Sequence, residues 1–439
     1  MPLNFIRKIV NKIAVFVTAH TGKSVHNFPT PLESTPSPFK PLQVCSPHTG
    51  LNMLTTMNAA TPEEQQQQLD NEPITQLDPA RDLRCDPRQV LVLGDSVVEE
   101  ELAWSFKQLG FDVTHLHTSE IAAEDMQQRY PSLTVAGAGV GSEVLKELEE
   151  RAGSIVAPSV EAQELCSSRE GVRATATDSL GLPTLRCEFV RSPEELEEAA
   201  LRLGLPVVVK PGRSSEGQGQ TVLRSEEDLS VEVVKAWEAA AEVDPEGPVV
   251  VERFIEFDFE LTILAARSVD PATGELATWF CEPIGTRHVG GRLVEAWQPA
   301  VLSEAAAGNA RSIAARITGA LGGQGLYAVE MFVAGDDVYF SDARPRPSLD
   351  GLLTRATQRL NQCSLHARAV IGLPIDATLV SPGAMVLVED VVPSVDGFAK
   401  AMSVAETGVR FVDGAAVVTS TGESAQEARD RATLAASRL

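Results

Sequence analysis

Residues 325–351, GLYAVEMFVAGDDVYFSDARPRPSLDG, constrain the fold most, because their alternation brings like charges together. Residues 326–334 and 338–342 are β-branched and aromatic runs separated by Gly335-Asp336-Asp337, the pattern of a tight antiparallel hairpin. A three-residue turn pairs Ala334 with Val338 and so sets Glu330 opposite Asp342 on one face. Carboxylates facing each other across a sheet, with Cβ atoms about 5 Å apart, repel and weaken it. A divalent cation turns the repulsion into attraction, and Mg²⁺ is bound through one or two carboxylates together with substrate phosphates. Arg344 and Arg346 continue the parity of Asp342, so an extended chain aims both guanidinium groups at the same place. Cations beside a metal imply a polyanion between them. The same residues also describe a solvated edge pair balanced by its arginines, and the stretch alone does not choose.

Charge narrows what the polyanion can be. With 37 basic against 61 acidic residues, a net −24 at pH 7, the 439-residue chain has no field that gathers nucleic acid or an anionic membrane surface. A phosphate must be gripped locally, by glycine amides, a few cations and metal. Hydrophobic content of 43% and charged content of 22% are those of a soluble globular protein, long enough for two or three domains. The cysteines (Cys45, Cys85, Cys166, Cys187, Cys281, Cys363) are scattered without a C-x-x-C pair, which fits a reduced, cytoplasmic protein. The histidines have no zinc spacing, and no apolar run reaches the length of a membrane span.

Residues 1–86 are expected to be a disordered extension. MPLNFIRKIVNKIAVFV is basic and apolar without a clear cleavage pattern after it, and the FPTPLESTPSPFKPL and TPEEQQQQLDNEP tracts that follow bury little apolar surface. Met53 and Met57, just before the polar tract, are alternative starts. Residues 87–158 have the βαβ order of a Rossmann-like domain: QVLVL, the helical EEELAWSFKQLG, FDVTHLH, then SEVLKELEERAG and SIVAP. The first turn reads G-D-S-V-V-E-E instead of G-x-G-x-x-G, and Glu99, Glu100 and Glu101 at the helix entry oppose a phosphate there.

Residues 159–374 change to longer strands and hairpins. LPVVVK delivers Lys210 into PGRSSEGQGQ, where Gly212, Gly217 and Gly219 permit amide donors to converge on one anion. PVVVER ends on Glu252, and FDFE places Asp258 and Glu260 on one face, acids suited to an exocyclic amine and to paired hydroxyls, or simply exposed at a strand end. Residues 309–321 and 355–369 are amphipathic and predict helices; residues 375–439 are expected to form a small α+β domain.

A βαβ domain, a strand-lysine-glycine loop, an acid-bearing hinge and a metal-binding hairpin, in this order, resemble the ATP-grasp superfamily. FDFELTIL, FCEPIG-x-R, EAWQP, GLYAVEMFV, YFSDARPRP and HARAVIGLP are similar to the formate-dependent phosphoribosylglycinamide formyltransferase family, from about Gln89 onward and most densely from Lys210 to Pro374. The resemblance implies an ATP-grasp fold with an N-terminal Rossmann-like domain and a small C-terminal α+β domain, ATP and Mg²⁺ as cofactors, carboxylate and amine substrates, and a homodimer. It assigns Arg169 and Lys210 to the ATP phosphates; Ser215, Glu216, Gly217, Gln218, Gly219 and Gln220 to the closing loop; and Glu252, Arg253, Phe254 and Ile255 to adenine. Glu260 falls on the ribose, Glu330 with Asp342 on Mg²⁺, and Arg346 with Lys210 on the transferring phosphoryl group. Asp350, Arg344 and Arg287 are candidates for substrate contact.

The chain departs from that family's pattern. Ser96-Val97-Val98-Glu99 stands where G-E-L-G holds the ribotide, the acid after the third strand falls near Gly139, and the aspartate after R-P-H aligns with Leu349, beside Asp350. Asp413 and Gly414 replace paired arginines, Gln218 a lysine, Asp342 a glutamate and Arg344 a serine. A hydrogen bond to a charged group contributes about 1.5–3 kcal/mol, so the losses predict poor ribotide binding. The expectation is therefore a carboxylate–amine ligase with an altered acceptor. The parent formyltransferase and a non-catalytic nucleotide binder are the alternatives.

Overall fold

A computed structural model describes residues 89–120, 132–214, 217–412 and 414–439. The expected extension, Met53, Met57, Ser215, Glu216 and Asp413 lie outside the described residues.

Among the described residues three sheets make the architecture. The first is parallel, with strand order β2-β1-β3-β4: β1 (Gln89–Leu93), β2 (Asp112–Leu116), β3 (Leu133–Ala136) and β4 (Ile155–Val156). Helix α1 (Val97–Gln108) connects β1 to β2, and α2 (Ser142–Ala152) follows β3. The G-D-S turn is a helix start: Ser96 Oγ accepts from Val98 N at 3.2 Å, and Glu99 Oε2 accepts from Ser96 N at 2.9 Å. Such a cap stabilises by about 0.5–2 kcal/mol. Glu99 does this from a buried seat over Gly94 and Gly137, where an added Cβ would lie 2.5 Å and 2.2 Å from it. Glu101 is also buried, but pairs elsewhere.

Helices α3 (Val160–Cys166) and α4 (Arg169–Ala174) lead into a small antiparallel sheet, order β5-β8-β6-β7, formed by β5 (Cys187–Val190), β6 (Val207–Pro211), β7 (Thr221–Leu223) and β8 (Val249–Arg253). Its outer face is apolar: Val207, Val209, Val249 and Val251 pack on Leu196 and Ala200 of α5 (Pro193–Leu203) and on Leu229, Ala236 and Ala240 of α6 (Glu226–Val243). The opposite face keeps Lys210 and Glu252.

The third sheet has nine strands: β9 (Phe259–Val269), β10 (Leu276–Phe280), β11 (Ile284–Val289), β12 (Arg292–Gln298), β13 (Gly325–Ala334), β14 (Asp337–Arg344), β15 (Gly383–Val388), β16 (Thr407–Val412) and β17 (Ala415–Thr421). The order is β14-β13-β9-β11-β12-β15-β17-β16, with β10 against β9. Pairing of β12 with β15 carries the sheet across the boundary expected near Pro374, so the last segment adds β15, β16 and β17 to the central sheet. Helix α7 (Glu304–Leu321), capped by Ser303, starts five residues before the expected 309 and buries Ala306, Ala310, Ile313 and Ile317.

The helix expected over 355–369 is broken. Thr354–Thr357 is one turn, Gln358 bridges to Leu379, and α8 (Gln362–Val370) restarts where Asn361 accepts from Ser364 N at 2.8 Å. Asparagine competes for backbone donors and favours caps over helix interiors. Helix α8 shares one core with Leu102 and Phe106 of α1 and Leu264 and Leu326 of the central sheet. Helices α9 (Val395–Met402) and α10 (Ala425–Ala436) close the chain.

Candidate functional site

Between the polar face of the small sheet and strands β9, β11, β13 and β14 lies a cavity of about 490 Å³, a size that suits a small-molecule ligand. Of the residues singled out from sequence, Arg169, Lys210, Gly217, Gln220, Glu252, Arg253, Phe254, Ile255, Glu260, Glu330, Asp342, Arg344 and Asp350 line it. Gln218, Gly219, Arg287 and Arg346 do not. Among the described residues none of the lining comes from the parallel sheet.

One end is cationic. On β6 the alternation of VVVK sends Lys210 to the cavity face, diagonal to Glu252 on β8, and Lys210 Nζ meets Glu252 Oε1 at 3.0 Å. Arg173 Nη2 holds the other carboxylate oxygen at 2.7 Å. Burial works to raise the Glu252 carboxyl, but the two cations outweigh it and bring it down to about 2. The carboxylate is thus taken, and only the main chain at Glu252 is left for the adenine role expected of it. Arg169 Nη1 donates to Pro211 O at 2.8 Å and Ser214 Oγ at 3.0 Å, bracing the base of the glycine loop. At the loop tip Gly217 (φ +70°) meets Gly291 (φ +81°) backbone to backbone, and a Cβ on Gly217 would stand 2.4 Å from Gly291 Cα. Gly219 is tucked away against Ala239 O of α6.

The other end is anionic. Glu330 does face Asp342, but by a different route from the expected one. The turn has two residues, with Gly335 at φ +62°, so Ala334 pairs with Asp337 and Met331 with Phe340. A bulge then inserts Ser341 and restores the shared face. Asp258 does not contribute an acid here, because its Oδ2 accepts from Gly335 N at 2.8 Å and closes the turn. Arg344 Nη1 lies 2.7 Å from Glu330 Oε1. Burial still raises the Glu330 carboxyl above the ordinary glutamate range, with Asp342 and Asp350 adding to it against Arg344. A bound cation would relieve that excess charge, and two hard oxygen donors suit Mg²⁺. Among the described residues no group of three or more His, Cys, Asp or Glu side chains could hold a metal ion, so phosphate and water oxygens would have to complete the shell. Burial and neighbouring Arg344 lower Arg346 to about 10, while Glu99, Asp342 and Glu330 support its charge.

Along the floor, Phe254, Ile255, Phe257, Leu261 and Phe332 form an apolar slot, with the Phe257 and Phe332 rings 4.9 Å apart. Glu260 Oε2 is 3.1 Å from His288 Nδ1. Burial opposes the histidine's charge, yet Glu260, with Glu330 and Asp350 beyond it, raises its pKa above the usual value. Arg287, a substrate candidate, lies outside this cavity next to Thr286, which lines it, and its Nε pairs with Glu295 at 3.0 Å. Asp350 is buried in the lining, and its Oδ2 accepts no hydrogen bond. Sequence reasoning missed Arg173 and His288. Arg173 had a signal, standing four residues after Arg169 and so on the same helical face; His288 shares strand parity with Thr286, a weaker one.

A cavity between a small antiparallel sheet and a large one, with a lysine-glycine loop over one end and hairpin acids at the other, defines an ATP-grasp enzyme. The ATP-grasp domain family matches residues 175–363. The formate-dependent phosphoribosylglycinamide formyltransferase of Corynebacterium glutamicum (strain R) is 42% identical over 387 residues, 80% of this chain and 94% of the relative. The solved glycinamide-RNase-transformylase T of Mycobacterium tuberculosis is 33% identical with a TM-score of 0.68, covering 80% of this chain and 100% of that one. A carboxyaminoimidazole ribonucleotide synthase from Aspergillus clavatus, complexed with ATP, shares the fold at 20% identity and a TM-score of 0.70, over 80% of this chain and 99% of that one. The chain belongs to the formate-dependent phosphoribosylglycinamide formyltransferase family.

Proposed function

We propose that this enzyme joins a small carboxylate to an amine at the expense of ATP, by way of an acyl phosphate, and that its acceptor is not the phosphoribosylglycinamide for which its relatives are named. The observation behind the first part is the charge-sorted cavity, which suits a magnesium nucleotide: adenine in the Phe254–Phe332 slot, ribose at Glu260, phosphates between Lys210 and the Glu330–Asp342 pair. Lys210, Arg169 and loop amides hold the phosphates, and Arg346, outside the lining but within electrostatic range of Asp342 and Glu330, supports the phosphoryl group in transfer. Mg²⁺, when bound, neutralises phosphate charge. A carboxylate oxygen attacks the γ-phosphorus and ADP leaves; the amine nitrogen then attacks the acyl carbon, phosphate leaves, and the amine gives up a proton. Positioning and charge neutralisation suffice for such chemistry. The unpartnered oxygen of Asp350 is suited to an amine N–H.

The altered acceptor rests on the family resemblance, in which Val97, Val98, Gly139 and Gly414 fall where ribotide contacts stand. The family resemblance extends the proposal to a homodimer in the cytoplasm. ADP release should be measured with formate, with and without glycinamide ribotide. Turnover indifferent to the ribotide is expected. Ribotide-dependent turnover would establish the parent activity, which the 42% identity favours. Nucleotide binding without phosphate release, whatever carboxylate and amine are supplied, would mean a binding protein.

A further inference from the structure

Arg173 joins the two ends of the cavity. The residue is 4% exposed and belongs to the cavity wall. Nε donates to Ser341 O at 2.7 Å and Nη2 to Glu252 Oε2 at 2.7 Å, while Nη1 is buried without a partner. Both bonded atoms matter to the site. Ser341 is the inserted residue of the β14 bulge, and a one-residue change of register sends a side chain to the other face of a sheet. Without the insertion Glu330 would face Ser341, and Asp342 would point into the core side. Glu252 is the partner of Lys210. With Arg173 present, the buried group is two cations on one carboxylate, which leaves one positive charge for an incoming anion. With Arg173 gone, Lys210 and Glu252 neutralise each other.

We infer that Arg173 is a positioning residue that sets the hairpin acids and the phosphate-binding lysine at once, so that a divalent cation and a nucleotide phosphate are received together. It rests on the cavity being the magnesium-nucleotide site. A lysine supplies charge but not two diverging planar donors. The two parts of the role are therefore separable: charge on Glu252 should survive Arg173→Lys, whereas the hold on Ser341 O should not.

The test is calorimetric binding of ADP to the full chain in EDTA and in excess Mg²⁺, for wild type, R173K and R173Q. In EDTA, R173Q should bind at least tenfold more weakly than wild type, and R173K within about threefold. The gain in affinity that Mg²⁺ gives wild type should fall at least fivefold in both variants. A structural role alone would lower the melting temperature and leave that gain unchanged, which would overturn the inference. If R173Q does not fold, the retained or lost Mg²⁺ gain of R173K decides. Absence of ADP binding by wild type would overturn the nucleotide-site assignment and the role of Arg173 with it; binding by wild type with an unchanged Mg²⁺ gain in the variants overturns Arg173 alone.

Discussion

At the scale of single residues, the site is two charge imbalances kept apart. Lys210 and Arg173 exceed Glu252 at one end; Glu330, Asp342 and Asp350 crowd around Arg344 at the other. The second has a pH consequence. Glu330 has a raised carboxyl in the folded state, chiefly from burial. Folding therefore favours its protonated form, and the native state loses stability as pH rises through that raised value. A magnesium nucleotide removes the penalty only where Glu330 is ionised. Mg-ADP should accordingly raise the melting temperature more at pH 7.5 than at pH 5, by an amount that corresponds at neutral pH to about 2.7 kcal/mol when the ligand is at a hundred times its Kd. E330Q should flatten the difference between the two pH values. Which acids would face each other was legible in the alternation of VEMFVAGDDVYFSD, but not how. Turn length and bulge position differ by one residue each and cancel, and tertiary contacts, among them those from Pro183 and Arg173 to the strand and from Asp258 to the turn, decide between such registers.

Among elements, α8 is the one whose anchoring is testable by acid. His366 is buried, and its Nδ1 accepts from Leu326 N of β13 at 3.0 Å. Burial lowers its pKa to about 3. A depressed folded value means full stability above the unfolded pKa of about 6.5, lost as pH falls toward the folded one. Chemical denaturation between pH 6.5 and pH 4 should show stability dropping by up to about 1.4 kcal/mol per pH unit from this group. H366F should start less stable, its Leu326 N–H left without an acceptor, and lose that share of the slope. HARAVIGLP marked α8 in the sequence; what it hid was the break before it, because the apolar spacing continues through Gln358 while the Asn361 cap and the Leu379 bridge interrupt the backbone.

Across the whole molecule, the parallel sheet, the segment after the hairpin and the final strands meet at one buried carboxylate. Glu101 of α1 accepts from Asn361 Nδ2 at 2.8 Å and pairs with Arg410 at 2.8 Å and Arg355 at 3.5 Å. The last acid of a run that reads in sequence as a barrier to phosphate is therefore a junction. E101Q leaves two arginines short of their partner, and because both keep access to water the cost should be about 1–3 kcal/mol. Thermal melts should record that loss, while ADP affinity stays within about twofold, since Glu101 lies outside the cavity. A change of tenfold or more in affinity would show that this junction also sets the site.

Periodicity and turn chemistry act between neighbours, so the strands and the hairpin that carries Glu330 and Asp342 could be worked out from residue order alone. Partners far apart in the chain could not. Arg173 reaches Ser341 across 168 residues and Glu101 reaches Arg410 across 309. Which buried charges meet depends on where packed sheets bring them, and a charged side chain in the interior is stable only beside the partner that the fold supplies.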